Sequence, residues 1–380
     1  MKDCQIKKLI GETNLFVIYR ARQEGSGETF ILKVLRNQYP AAEDLAILEH
    51  DCRMAQKICS EFVIKACRVE KLDDGRTAMI MEDIGGSDLK EFIKSRGRLP
   101  VDLFLEIALA IIRGIHDIHG ANIIHKDINP GNILYNPETK RLKIADFHIA
   151  TELSRESQEI NIKGVLEGSL SYISPEQTGR MNRFLDYRTD FYSLGATFYE
   201  LLTGVTMFEA KDAMGYVAAH ISKMPPRVDR INREVPKLIA DIIEILIAKS
   251  PEERYQSSLG LIHDLSTARQ CLKEKGEITP FSLKSRDISE RFEIPQKLFG
   301  REEQKGKLLA LFEEASRGKS KILLVRGHSG IGKSALIHEI LRCITIENGF
   351  FLKGKYDQFA SNIPYFALIQ AFKSAMNQIM

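Results

Sequence analysis

His125-Lys126-Asp127-Ile128-Asn129-Pro130-Gly131-Asn132 is the stretch on which the reading of this chain turns. A carboxylate followed five residues later by an amide suits a loop that holds a base and a metal ligand side by side. A hairpin is expected next: strand Ile133-Leu134-Tyr135, turn Asn136-Pro137-Glu138-Thr139-Lys140, strand Arg141-Leu142-Lys143-Ile144. Asn-Pro starts turns, and both arms are short. The hairpin carries the chain back and sets Asp146 near Asn132. An Asp and an Asn together are hard oxygen ligands of the kind that hold magnesium on phosphates.

Outward from this loop, the N-terminal side is strand-rich and the C-terminal side helical. Phe30-Ile31-Leu32-Lys33-Val34-Leu35 is an apolar run broken by one lysine, and Ala78-Met79-Ile80-Met81 is a second strand ended by Gly85-Gly86. Between them, Leu45, Leu48, Cys52 and Ala55 recur at helical spacing within 41–58. Helices are expected over 88–94, 100–119, 191–203, 237–249 and 259–272, with Thr189 or Asp190 as N-cap of the third and Gly204 as its stop. Residues 273–297 mix Lys, Glu, Ser, Pro280 and Pro295, which reads as an interdomain linker. Beyond it a helix is expected over 298–316, then a buried strand, Lys321-Ile322-Leu323-Leu324-Val325.

Composition narrows the classes. At 380 residues, and roughly 150 residues per domain, two to three domains are expected. With 54 Lys+Arg against 51 Asp+Glu, the net charge of +3 gives no field for nucleic acid or a membrane surface. An apolar fraction of 44% with 28% charged residues supports a buried core and argues against disorder. No apolar run reaches the length of a membrane-spanning helix, and the N-terminus has no secretory pattern. Six scattered cysteines without CxxC spacing read as reduced thiols of a cytoplasmic protein.

With these pieces in order, residues 5–272 resemble a protein kinase. The lysine on a strand is Lys33, the loop ends in Asn132, and Asp146-Phe147-His148 stands in the metal-binding place. Ser174-Pro175-Glu176, Asp190 and Arg254 follow in the family's order. The resemblance implies an α+β bilobal fold, with Lys33 on the α- and β-phosphates of ATP and Asp127 accepting the proton of a serine or threonine hydroxyl. Asn132 and Asp146 would hold Mg2+. Gly11 to Ile18 would be the loop over the phosphates, and the adenine would rest against backbone groups at Met81, Glu82, Asp83 and Ile84. Glu176 and Arg254 would form a buried ion pair fixing the activation segment, and Asp190 would hold the catalytic-loop backbone. The run Tyr172-Ile173-Ser174-Pro175-Glu176-Gln177-Thr178-Gly179-Arg180-Met181-Asn182-Arg183 resembles that of large bacterial hybrid proteins, in which a serine/threonine kinase precedes an ATPase-like module and a sensor histidine kinase.

Several positions depart from the kinase pattern. Gly11-Glu12-Thr13-Asn14-Leu15-Phe16 keeps only the first of three glycines, and side chains at Thr13 and Phe16 limit the approach of that backbone to phosphate. The glutamate that should pair with Lys33 aligns with Asp51, or alternatively with Glu49. Lys126 replaces an arginine, Asn129 a lysine and His148 a glycine. Because Lys126 lacks the planar fork, regulation by phosphorylation at Thr151, Ser154, Ser157, Ser169 or Ser171 is expected to be weak. The intact Lys33/Asp127/Asn132/Asp146 set favours an enzyme. The departures favour the alternative, a pseudokinase acting as a nucleotide-binding regulatory module.

Gly327-His328-Ser329-Gly330-Ile331-Gly332-Lys333-Ser334 fits the P-loop pattern, in which backbone N–H groups, Lys333 and the Ser334 hydroxyl take phosphate and Mg2+. Phe299-Gly300-Arg301-Glu302 resembles the entry motif of AAA-like signalling ATPases. Only about 80 residues follow Leu298, so an incomplete α/β P-loop NTPase domain is expected, with further signalling domains beyond. The expected boundaries are therefore 1–272 kinase, 273–297 linker and 298–380 truncated P-loop module. Gly327, Gly330, Gly332, Lys333 and Ser334 are its candidate nucleotide ligands.

Overall fold

The computed structural model describes residues 4–25, 27–153, 168–180, 185–289, 300–328, 331–338, 340, 343–344, 352, 354 and 365–379. Five antiparallel strands, β1 (Cys4–Glu12), β2 (Phe16–Gln23), β3 (Thr29–Leu35), β4 (Ala66–Lys71) and β5 (Thr77–Glu82), form one sheet in the order β1-β2-β3-β5-β4. Alternation along β3 divides its side chains between two cores. Phe30, Leu32 and Val34 join Ala21, Ala78 and Ile80 on the outer face, while Ile31 and Leu35 face the main core. Lys33 therefore points inward with Ile31 and Leu35, towards the helix α1 (Ala42–Gln56).

α1 buries Leu48, Asp51, Cys52 and Ala55, which share one face at i, i+3, i+4 and i+7. One carboxylate thus lies in an apolar stripe, and Glu49 is exposed. The chain leaves β5 through Gly85, whose φ is +73°, and Gly86, where a Cβ would stand 2.2 Å from the Tyr135 carbonyl oxygen. A small strand, β6 (Ser87–Asp88), follows, then α2 (Leu89–Arg96) and α3 (Val101–Gly120).

The expected hairpin is present. After β7 (Ile123–Ile124), β8 (Ile133–Asn136) and β9 (Arg141–Ile144) pair with Ile133 opposite Ile144, so Asn132 and Ala145 lie side by side and the Ala145 N–H donates to the Asn132 carbonyl (2.8 Å). β10 (Thr151–Glu152) pairs with β7. The second lobe is helical: α4 (Arg188–Thr203), α5 (Ala213–Ser222), α6 (Val228–Ile231), α7 (Lys237–Leu246) and α8 (Ser258–Lys275). α4 is buried from Arg188 to Leu202 and forms the centre of this lobe. It starts earlier than expected, with Tyr187 at the N-cap and no side-chain cap. Asp190 is not the cap, because its carboxylate is taken by backbone N–H groups of another segment.

The expected linker is in part a strap on the helical lobe. After Gly276 (φ +74°), Ile278, Phe281 and Leu283 pack against the core. The Asp287 side chain is fully buried and accepts from Gln256 N (2.9 Å), Ser257 N (2.8 Å) and Ser257 Oγ (3.1 Å). Lys284 donates its backbone N–H to Asp264 Oδ2 (2.9 Å) and its ammonium to the Arg254 carbonyl (2.6 Å). Residues 290–297 of the expected linker, and 298–299 after it, lie outside the described residues.

Beyond residue 300, α9 (Glu302–Ser316), α10 (Lys333–His338) and α11 (Phe366–Ile379) are helical. Residues 321–325 do not form the expected strand: they carry no regular secondary structure, and Ile322 is fully exposed. A strand exists only against a neighbour, and among the described residues beyond 300 there is none to pair with it. No described helix is long and apolar enough to cross a membrane.

Candidate active site

Lys33 is the hub of the cleft. Its ammonium lies 2.5 Å from Asp51 Oδ2 and 2.8 Å from Asp146 Oδ1, and 4.5 Å above the centroid of the Phe16 ring. Burial works against its charge, but the two carboxylates outweigh burial and hold its pKa above the usual lysine range. Asp51 uses its other oxygen to accept the Phe147 N–H (2.8 Å), which ties α1 to the segment carrying Asp146. The alignment offered both Asp51 and Glu49. Their places on the α1 stripe separate them, and that spacing was the available signal. The cover of Lys33 by Phe16 had no signature in the sequence.

Asp146 has φ +70°, an uncommon conformation for a residue with a side chain. Its Oδ1 accepts from Lys33 and from His148 Nδ1 (2.8 Å). Although burial pushes the carboxyl up, Lys33 and then His148 hold it well below the usual carboxylate range. His148 is raised in turn: burial lowers it, and the hydrogen bond to Asp146 more than offsets this.

The catalytic loop is fixed from below. Asp190 accepts from Lys126 N (2.8 Å), His125 N (3.0 Å) and His119 Nε2 (2.8 Å), and this supports Lys126 at φ +70°. Asp190 is fully buried, which raises its pKa, but the hydrogen bond from His119 and the nearby histidines bring it below the carboxylate norm. Asp127 is 7% exposed; its Oδ1 accepts Ser169 N (2.8 Å) and its Oδ2 accepts Asn132 Nδ2 (2.8 Å). Asn129 Nδ2 donates to the Asp127 carbonyl (3.1 Å) and Ser169 Oγ (3.2 Å), and its Oδ1 accepts Gly131 N (2.8 Å).

Two oxygens remain free. Asn132 Nδ2 is committed to Asp127, which leaves Asn132 Oδ1. Asp146 Oδ1 is committed to Lys33 and His148, which leaves Asp146 Oδ2. Neither oxygen has a partner among the described residues, and neither is sealed from solvent. A pair of hard, accessible oxygens is the donor set that Mg2+ takes beside phosphate and water, so the residues fit the metal.

At the crossing between lobes Met81 and Ile84 are buried. Glu82 turns its carboxylate away, to Lys143 (2.7 Å), Arg141 (3.0 Å) and Lys65 N (2.9 Å). Asn136 Nδ2 occupies the Ile84 carbonyl (2.7 Å), whereas the Ile84 N–H has no partner among the described residues. Below the cleft, Arg254 grips Glu176 through two bonds of 2.6 and 2.9 Å, and neither side chain is more than 1% exposed.

The protein kinase domain family matches residues 4–272, more than half of the chain. The chain belongs to the protein kinase family. Its kinase domain has the sheet lobe and helical lobe described above, and the AAA ATPase domain family matches residues 297–380. Serine/threonine-protein kinase PrkC of Bacillus subtilis is 32% identical over 70% of this chain, and a probable serine/threonine-protein kinase of Clostridium perfringens is 30% identical over 76%. Hybrid signal transduction histidine kinase G of Dictyostelium discoideum is 27% identical over 76% of the chain. The chain spans 40%, 41% and 11% of the lengths of these three relatives.

In the P-loop segment, Lys333 Nζ donates to the carbonyls of Gly327 (2.9 Å) and His328 (2.7 Å), and Gly332 has φ +88°. Gly330 and the Ser334 side chain, both candidate ligands, lie outside the described residues, as do Ser154 and Ser157 of the activation segment.

Proposed function

We propose that this chain is an ATP-dependent serine/threonine protein kinase acting in signal transduction, with Asp127 as the base. The observation that carries the reading is the convergence of Lys33, Asp127, Asn132 and Asp146 on one cleft, with one unpartnered oxygen on each of the last two. MgATP, when bound, supplies the phosphoryl group and the charge neutralisation that phosphoryl transfer needs. The Ile84 N–H is the open backbone donor for an adenine edge. Lys33, kept charged by Asp51, offers its ammonium to phosphate oxygens. Asn132 Oδ1 and Asp146 Oδ2 are the ligands for the metal. Asp127, aligned by Ser169 N and Asn132 Nδ2, accepts the proton of the incoming hydroxyl at its carboxylate. Asn129 closes the loop around it without adding charge.

In the P-loop module, Gly327, Gly330, Gly332, Lys333 and Ser334 are the proposed nucleotide ligands. Lys333 would exchange its two loop carbonyls for phosphate. The proposed kinase unit ends near Asp287, because the strap to that point is built into the helical lobe. A second reading, a pseudokinase that binds nucleotide without transfer, is favoured by one observation: the Phe16 ring covers Lys33.

Phosphotransfer from labelled ATP to serine- and threonine-containing proteins decides between them. Removing a general base typically costs about 10²–10⁴-fold, so Asp127→Asn is expected to lose at least a hundredfold in kcat. Equal incorporation by both proteins would remove the catalytic reading.

A further inference from the structure

His148 stands where the kinase pattern has a glycine, and the mechanism above gives it no part. Its Nδ1 lies 2.8 Å from Asp146 Oδ1, the oxygen that also receives Lys33 at 2.8 Å. The two donors take up Oδ1 and leave Oδ2 without a partner among the described residues, on a side chain that is 31% exposed. The torsion that swings a carboxylate about its Cβ–Cγ bond is broad, so without directed donors the two oxygens interchange freely. Lys33 divides its three N–H donors between Asp51, Asp146 and, with nucleotide bound, phosphate oxygens, so a second directed donor on Oδ1 tightens the restraint.

We infer that His148 is a positioning residue for the metal site, one that holds Asp146 with Oδ1 bonded and Oδ2 presented to Mg2+ when Lys33 turns towards the nucleotide. This rests on the kinase reading and adds to it a donor that a glycine cannot supply from a side chain. Partners of this kind, one bond removed from a metal, typically change metal affinity by about 10–100-fold. The side chain is also local: it lies two residues from Asp146 and is partly exposed, so its loss need not disturb the fold.

Asparagine tests the geometry, because its Nδ2–H stands close to where the imidazole Nδ1–H stood. In the full chain carrying Lys333→Ala, the background for every comparison here so that the proposed P-loop site does not contribute, Mn2+ affinity in the presence of a non-hydrolysable ATP analogue is expected to fall about tenfold or more in His148→Gly and His148→Leu. His148→Asn is expected to stay within about threefold of the wild type, and metal-free melting temperatures should remain alike. Mn2+ binding by the Gly and Leu variants at wild-type strength would overturn the inference, as would an Asn variant as weak as Leu. Wild-type chain that binds the analogue and Mn2+ but transfers no phosphoryl group would overturn the kinase reading while leaving the His148 comparison intact. Wild-type chain that binds no Mn2+ would overturn both.

Discussion

Arg254→Met removes the cation of the buried Glu176–Arg254 pair, and the structure sets the size of the effect. The guanidinium makes two bonds to Glu176, donates to the carbonyls of Arg188 (2.9 Å), Ala248 (2.8 Å) and Lys249 (3.2 Å), and lies 5.0 Å from the Tyr192 ring. Methionine fills much of the volume but leaves Glu176 with only Thr189 Oγ1 (3.0 Å) as a side-chain donor. Breaking such a pair from one side costs about 3–5 kcal/mol, because the remaining charge is buried and uncompensated. In a domain of this size each kcal/mol is worth roughly 2–4 °C, so thermal unfolding should move down by about 6–20 °C. The pH dependence carries a second signature. Burial raises the pKa of Glu176, but Arg254 outweighs it and holds the carboxyl below its ordinary value. Its stabilising contribution is therefore fully present above the unfolded value, near 4.3, and is lost as pH falls through the lower folded value. In the variant the unopposed burial makes Glu176 take up a proton more readily, so the gap to wild type narrows as pH falls. Urea unfolding of both single variants and of Glu176→Gln/Arg254→Met reads the coupling directly. The double variant should recover at least about 1 kcal/mol relative to the sum of the singles. Additivity within about 0.5 kcal/mol would refute the claim that these two groups stabilise the lobe as a pair.

His220 is fully buried against Tyr192 Oη (3.0 Å) and the Phe208 ring, and burial followed by the Lys249 charge lowers its pKa to about 3. A histidine whose folded value is depressed stabilises above its unfolded value, near 6.5, and that contribution is lost as pH falls. Stability to urea should fall by about 2 kcal/mol between pH 6.5 and 5, and His220→Gln, which keeps an acceptor for Tyr192, should abolish that slope; an unchanged slope would refute it. Asp287→Ala leaves two buried N–H donors without an acceptor and should cost about 2–4 kcal/mol. Residues 1–272 should melt well below residues 1–289, and equal melting would show that the strap contributes nothing.

What could be read in the sequence was local. The hairpin after Asn132 is written in its turn residues, and β3, α1 and α3 in their periodicity, because each is decided by neighbours a few positions away. Asp190 escaped that local logic: next to a helix start an aspartate resembles a cap, and it was the resemblance to kinases that gave it the catalytic-loop backbone, where its oxygens accept from Lys126 and His125, more than sixty residues away. The strap was hidden for the same reason. Its polar, proline-containing composition matches a tether, and only the fold reveals that Asp287 has two backbone donors waiting at Gln256 and Ser257. Residues 321–325 show the reverse, since a run of Ile, Leu and Val has the composition of a strand but, among the described residues, no partner strand to make it one.

The departures from the kinase pattern share a physical direction. Asn129 stands where a lysine would reach out to phosphate, and spends its amide on Asp127, Ser169 and Gly131 instead. Lys126 stands where an arginine would read a phosphorylated loop, and its backbone is held by Asp190 from within the lobe. Asp51, one methylene shorter than glutamate, reaches Lys33 and Phe147 N at once, so α1 is held close to β3 and to Asp146 by a single side chain. Asn129 thus replaces an outward-reaching charge with a short amide bonded inside the cleft, Asp51 draws α1 in with a shorter carboxylate, and Lys126 keeps a charge but not the planar fork of arginine. Such a site is expected to be ordered without an added phosphate, and an activity gain above about tenfold on phosphorylating the segment after His148 would refute this. The cost falls on the nucleotide, which meets fewer free cations and a Lys33 already engaged by two carboxylates and an aromatic ring. The expected outcome is weak binding of ATP to a cleft formed beforehand, and titration with a non-hydrolysable analogue should show Phe16→Ala, which uncovers Lys33, binding more tightly than the wild type.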